Sequence, residues 1–154
     1  TLDFDKDVAL ADALDHGDDN AIDPNLTAFF ARGGKLLMYH GWTDPLVAPR
    51  NTVHYYADVV KTSGGAGGVS DSIRLFMVPG MGHCVGGDGP SNFDKLGPIE
   101  QWVEQNRAPD RLVATHVDKG VVDRTRPLCP YPQVAIYAGT GSANDAANFA
   151  CRVR

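Results

Sequence analysis

Two short apolar runs organise this chain. Lys35-Leu36-Leu37-Met38-Tyr39 and Ser72 to Val78 carry almost no polar alternation. That is the pattern of strands buried on both faces, as parallel strands are. Between them the spacing predicts a helix over about Pro49 to Lys61, with Val53, Tyr56, Ala57 and Val60 on its core face. Before the first run, Asp23-Pro24 reads as an N-cap with proline at the first helical position. Leu26, Phe29 and Phe30 then form an apolar face, and Gly33-Gly34 ends that helix. After the second run, Pro98 to Gln105 predicts a helix facing inward through Ile99, Trp102 and Val103, broken by Ala108-Pro109. Leu112 to Val117 and Val121 to Arg124 read as a strand pair around Asp118-Lys119-Gly120.

The remaining stretches are less regular. Residues 1–23 form an acidic lead-in in which Val8 to Leu14 predicts a short helix. Gly64 to Gly68 reads as a flexible connector, Arg126 to Pro132 is proline-rich, and 139–148 are small and polar. Strand, acidic loop, helix, strand, histidine loop and helix alternate in the α/β manner. Two parallel strands make a poor sheet alone, so the expectation is the back end of a larger one. The domain reading is one unit over 1–154: lead-in 1–23, strand and helix core 24–125, and closing segment 126–154.

Composition narrows the function. The 154 residues carry a net charge of -5 and are 43% hydrophobic, enough for a domain with a core. The acidic balance argues against nucleic acid and against an anionic membrane surface. No apolar run approaches the roughly 20 residues of a membrane span. The chain opens on Thr1 without an initiator methionine or signal peptide, so a processed or truncated piece is expected. Three cysteines is an odd count. Cys129 and Cys151 lie in irregular sequence and could pair; Cys84 would then be left over, which in an oxidising compartment suggests a partner outside the chain.

Several site classes fail on spacing. Asp3, Asp5 and Asp7 alternate like calcium ligands, but an EF-hand loop begun at Asp3 would need glycine at Val8 and glutamate at Leu14. No His-x-x-x-His, His-x-His or Cys-x-x-Cys pair is present, so no metal site is expected. The glycines at 64–68 follow a helix and precede a strand, the reverse of a phosphate-binding loop.

The candidate chemistry sits at the strand ends. Val78-Pro79-Gly80-Met81-Gly82-His83-Cys84 places a histidine in a glycine-rich turn at the carboxyl end of the second run. His40-Gly41-Trp42-Thr43-Asp44-Pro45 places an aspartate after the first. Ligands of α/β folds bind outside the carboxyl ends of the strands. Adjacent strands lie about 4.8 Å apart, so a carboxylate at Asp44 and an imidazole at His83 can meet. An aspartate that accepts from an imidazole orients it and stabilises its charged form during acyl transfer. The order acid then histidine matches the tail of the α/β-hydrolase order. The other reading of Asp44 is a turn or helix cap before Pro45. No Gly-x-Ser-x-Gly elbow is present, so the nucleophile is expected upstream, in sequence outside this chain. His40 could line the pocket, although a packed or hydrogen-bonded loop role is the simpler reading. Trp42, beside Asp44, could shield the acid loop from water, although packing that loop is the simpler reading. His54 and His116 are expected to be structural or exposed, and His16 lies in the lead-in.

Four motifs together resemble the tannase and feruloyl esterase family. Gly33 to Pro45 looks like its acid motif and Met77 to Cys84 like its histidine motif. Arg126-Pro127-Leu128-Cys129-Pro130-Tyr131-Pro132 and Asp145 to Cys151 look like its closing segment. The resemblance covers about residues 26–151. It implies the C-terminal portion of an α/β-hydrolase fold, a mostly parallel sheet with flanking helices, with the lid domain and nucleophile region absent. It implies a serine carboxylic-ester hydrolase acting on gallate- or ferulate-type aromatic esters, with Asp44 and His83 as triad members. This chain alone would then be inactive, and its partner would be the segment or chain carrying the serine. The resemblance also implies a disulfide from Cys84 to a cysteine beside that serine, a second bridge between Cys129 and Cys151, and a secreted or periplasmic location. No cofactor is implied; the calcium site of some members would lie in the lid. The alternative is a non-catalytic α/β module that binds a ligand or partner.

Overall fold

The structure is a computed structural model and describes residues 2–15 and 20–154; His16 lies outside them. The elements in order are α1 (Lys6–Asp15), α2 (Thr27–Ala31), β1 (Leu36–Gly41), α3 (Pro49–Thr62), α4 (Ala66–Val69), β2 (Ile73–Val78), α5 (Gly97–Gln105), β3 (Leu112–Asp118), β4 (Val121–Leu128), β5 (Gln133–Tyr137) and β6 (Phe149–Val153). A 3₁₀ turn at Ala146–Asn148 leads into β6.

β1 and β2 pair in parallel, in a register that runs from Leu36 opposite Ile73 to Gly41 opposite Val78. Side chains alternate across this pair, and both faces are covered. On one face Leu36, Met38 and Ile73 pack with Val59, Tyr55, Tyr56 and Val60 of α3. On the other, Leu37, Tyr39, Phe76 and Val78 pack with Met81, Phe93, Leu112, Ala114 and Leu128. Because the period is two, His40 falls on the α3 face, while Gly41 falls on the face that meets the histidine turn.

The parallel component is confined to this pair. Among the described residues, β3–β4 and β5–β6 are both antiparallel, so the expectation of a mostly parallel sheet does not hold for the strands in this chain. The reason is connectivity. Lys119 and Gly120, both at positive φ, turn β3 straight back into β4, and so tight a return cannot give a parallel pair. β4 continues through Arg126, Pro127 and Leu128, past the expected end at Arg124. Pro130 and Tyr131 then reach β2, where the Tyr131 N–H donates to Leu75 O at 2.7 Å.

Other elements shift from the sequence expectation. Asp23 does not cap a helix at Pro24. Its carboxylate accepts from the Asn25 N–H at 2.9 Å, closing a local turn, and α2 starts at Thr27. The inward face of α3 is Tyr55, Tyr56, Val59 and Val60, whereas Ala57 faces out. Trp102 of α5 is fully buried under Lys35 and Arg74, but Val103 is 61% exposed. The expected connector at 64–68 contains α4, and the proline-rich and small-residue tail contains β5 and β6. The lead-in does form a helix, α1, with no buried residue. Asp3 accepts from the Lys6 N–H at its start.

Candidate active site

Two loops leave the carboxyl ends of β1 and β2 and are laced together by backbone. The Trp42 N–H donates to Val78 O at 2.9 Å, extending the ladder one step past β1. The Met81 carbonyl then accepts from both the Thr43 N–H, at 3.1 Å, and the Thr43 hydroxyl, at 2.7 Å. Met81 itself is fully buried and anchors the histidine turn in the core. Gly80 adopts φ 73°, a conformation that favours glycine, and its carbonyl accepts from the Gly89 N–H at 3.0 Å as the following loop folds back. His83 is the next outward-facing residue, followed by Cys84 at φ 65°.

This lacing brings the two predicted residues together. His83 Nδ1 lies 2.8 Å from Asp44 Oδ2. The Asp44 side chain is 2% exposed and that of His83 is 46% exposed. Oδ1 of Asp44 accepts from the Leu46 and Val47 N–H groups at 2.8 and 3.0 Å. Both sequence readings of Asp44 are therefore present at once: one oxygen closes the turn before α3, and the other holds the imidazole. A third group joins them, and it takes both roles that the sequence offered for it, lining the cavity and hydrogen-bonded within the loop. His40 Nε2 lies 3.0 Å from the same Oδ2, and His40 Nδ1 lies 2.6 Å from Thr52 Oγ1 in the first turn of α3. The available signal was a histidine closing an otherwise apolar strand, four residues before the acid.

The electrostatics follow from this shell. Burial pushes the Asp44 carboxyl up, but the Val47 and Leu46 N–H groups, then His83 and His40, outweigh it and hold the carboxyl well below the ordinary carboxylate range. An ionised carboxylate only accepts, so both nitrogens facing it carry hydrogen. In neutral His83 the proton is then on Nδ1, and Nε2 presents a bare lone pair. Nε2 has no bonding partner among the described residues. His83 lines a cavity of about 240 Å³ together with Tyr39, His40, Asp44, Met81 and Cys84. A larger hollow of about 620 Å³ opens at the amino end of β2 beside Tyr56, Arg74 and Tyr131, away from this chemistry.

The remaining candidates are placed apart. Cys129 and Cys151 are joined by a disulfide, with Cα atoms 5.5 Å apart, linking the segment after β4 to β6. Cys84 is a free, exposed thiol. Trp42 is 43% exposed and borders a small hollow with Met77, Pro79 and Pro127. His54 is exposed on α3, and His116 pairs with Asp123 at 2.6 Å on the β3–β4 hairpin. Among the described residues, no three His, Cys, Asp or Glu side chains are grouped to hold a metal ion. No described helix is long and apolar enough to cross a membrane.

The site joins a buried carboxylate and an imidazole at the ends of two neighbouring strands, an arrangement able to accept and return a proton. The chain belongs to the tannase and feruloyl esterase family, whose sequence model matches residues 3–152. It is 48% identical over 134 residues to mono(2-hydroxyethyl) terephthalate hydrolase from Piscinibacter sakaiensis, covering 85% of this chain and 22% of that protein. It is 33% identical over 147 residues to feruloyl esterase B from Aspergillus niger, covering 85% of this chain and 28% of that protein. Its structure superposes on feruloyl esterase B from Aspergillus oryzae with a TM-score of 0.83 at 30% identity, covering 96% of this chain and 32% of that one. The chain thus spans less than a third of the length of the curated relatives named here.

Proposed function

We propose that this chain supplies the acid and the base of a serine carboxylic-ester hydrolase that cleaves aromatic esters of the gallate or ferulate type. The observation that carries the reading is the 2.8 Å contact between Asp44 Oδ2 and His83 Nδ1, which leaves Nε2 free on a ring that lines an open cavity. The nucleophile is a serine outside this chain, in the same enzyme or an associated one. His83 Nε2 takes the serine proton as the oxygen attacks the ester carbonyl. It then returns that proton to the leaving alkoxide, and repeats the cycle with water to release the acid. Asp44 stays ionised throughout and stabilises the imidazolium. The reaction needs no cofactor from this chain. Cys84, next to the base, would form a disulfide with a cysteine beside the serine, limiting relative motion of two groups that must meet within roughly 3.2 Å. The Cys129–Cys151 bridge and the family's chemistry support a secreted or periplasmic enzyme.

The test is hydrolysis of methyl ferulate and methyl gallate by the full-length enzyme containing this segment. Asp44→Asn should lower kcat by on the order of 10⁴, the cost of losing the acid's control of the imidazole. His83→Ala should lower it at least as far. Wild-type turnover in either folded variant would overturn the assignment. The isolated chain should be inert, and serine-dependent turnover by it would overturn the placing of the nucleophile elsewhere.

A further inference from the structure

His40 makes contacts that lie outside the Asp44–His83 pair itself. Its side chain is 11% exposed and lies between two partners, Asp44 on the Nε2 side and Thr52 on the Nδ1 side. Nε2 faces an ionised oxygen and so carries the hydrogen. Nδ1 of the neutral ring is then a bare acceptor, and the Thr52 hydroxyl donates to it. The hydrogen-bond chain runs from α3 through His40 to Asp44, and from the other side His83 donates to the same oxygen. A carboxylate offers about four lone-pair positions. Leu46 and Val47 take two on Oδ1, while His40 and His83 take two on Oδ2. Without His40, the oxygen that faces the base would be held by the base alone.

We propose that His40, seated by Thr52, is a positioning residue that holds Asp44 Oδ2 in the orientation His83 needs. The proposal rests on the Asp44–His83 reading above. Removing the His40 N–H has two effects of opposite sign. The carboxylate loses a restraint, so the imidazole is less well aimed and turnover falls. The same oxygen also stops sharing its charge with a second donor, so it stabilises the His83 imidazolium more strongly, and the acid limb of the rate profile moves to higher pH. A purely structural histidine would give neither change in the molecules that remain folded. The other titratable side chains lining the cavity are Tyr39 and Cys84.

The test has a spectroscopic and a kinetic arm. Nitrogen-15 correlation spectra of this chain near neutral pH should show His40 as the Nε2–H tautomer and His83 as the Nδ1–H tautomer; a His40 ring with hydrogen on Nδ1 alone overturns the proposal. In the full-length enzyme, with active sites counted by a serine-directed inhibitor, His40→Leu should lower kcat by up to about 10²-fold, the scale of a small misplacement, with KM little changed. Its acid limb should shift upward. His40→Gln, which can return an N–H to Asp44, should recover part of kcat. Thr52→Val should give a smaller loss in the same direction, and Thr52→Ser should restore it. These milder variants carry the test if His40→Leu does not fold. Wild-type kcat per active site and an unmoved acid limb across the series overturn the proposal. His83→Ala run in parallel separates the two claims. Activity that survives His83→Ala removes the triad reading; activity abolished by His83→Ala but indifferent to the His40 series removes only this one.

Discussion

Gly41 lies directly beneath the Met81 carbonyl. A Cβ on Gly41 would overlap that oxygen and the Gly82 carbonyl next to it, all of them backbone atoms that cannot swing aside. The end of β1 and the histidine turn therefore touch backbone to backbone, and Thr43 bonds the same Met81 oxygen from above. Gly41→Ala should force the two loops apart. The expected cost is roughly 1–3 kcal/mol in urea unfolding, the range of overpacking in a filled site, with an accompanying loss of ester hydrolysis in the full-length enzyme. Gly67→Ala is the control. It has open space at the Cβ position within α4 and should gain about 0.5–1 kcal/mol. Equal midpoints for the two variants would remove the argument.

The depressed Asp44 carboxyl makes stability depend on pH with a definite sign. Its folded value lies below the ordinary 3.8, because burial, which raises it, is outweighed by four hydrogen bonds that lower it. The stabilisation from its ionised form is complete above the unfolded-chain value and is lost as pH falls through that value toward the folded one. The wild-type midpoint in denaturant should therefore drop more steeply below about pH 4 than that of Asp44→Asn. Parallel acid titrations of the two proteins would show that the hydrogen-bonded shell does not hold in solution.

The Cys129–Cys151 bridge closes a span of 22 residues. Constraining such a loop in the unfolded chain stabilises by about 3 kcal/mol. The double variant Cys129→Ser/Cys151→Ser should lose about that much in calorimetry or denaturant titration, with its earliest hydrogen exchange in β5 and β6. Asp44 and His83 are held by β1 and β2, so their tautomers should be unaltered. A site disturbed as much as β6 would mean that the closing segment braces the loops.

Cys84 is exposed and unpaired, whereas the other two cysteines are bridged. Iodoacetamide should label this chain once without reductant, and peptide mass mapping should place the label on Cys84. In the full-length enzyme the proposed bridge to the nucleophile loop predicts protection of Cys84 and a fall in turnover for Cys84→Ser. Free labelling there, with full activity in the serine variant, would refute the bridge.

The readable parts of this sequence are those whose physics is local. The apolar runs at Leu36–Tyr39 and Ile73–Val78 announce strands because no position in them is exposed, and Gly80 announces a turn because few other residues allow its φ of 73°. Val103 and Ala57 were misjudged because helical spacing names a stripe but not which edge of it the neighbours cover. β5 and β6 were missed for a related reason. Their residues are mostly exposed or half-buried, and 11 residues separate them, so no short-range hairpin signal exists.

Read alone, the sequence was enough to single out Asp44 and His83 as side chains that could meet, and they lie 2.8 Å apart, because strand ends, proline stops and glycine turns are decided by residues a few positions apart. It could not choose the partner of His40, nor show that one carboxylate oxygen serves two imidazoles while the other closes a turn. Those facts exist only once α3 lies across β1 and the two loops share the Met81 carbonyl. Hydrogen bonds between residues 12 and 39 positions apart are set by how the layers pack, and periodicity along the chain carries no record of that.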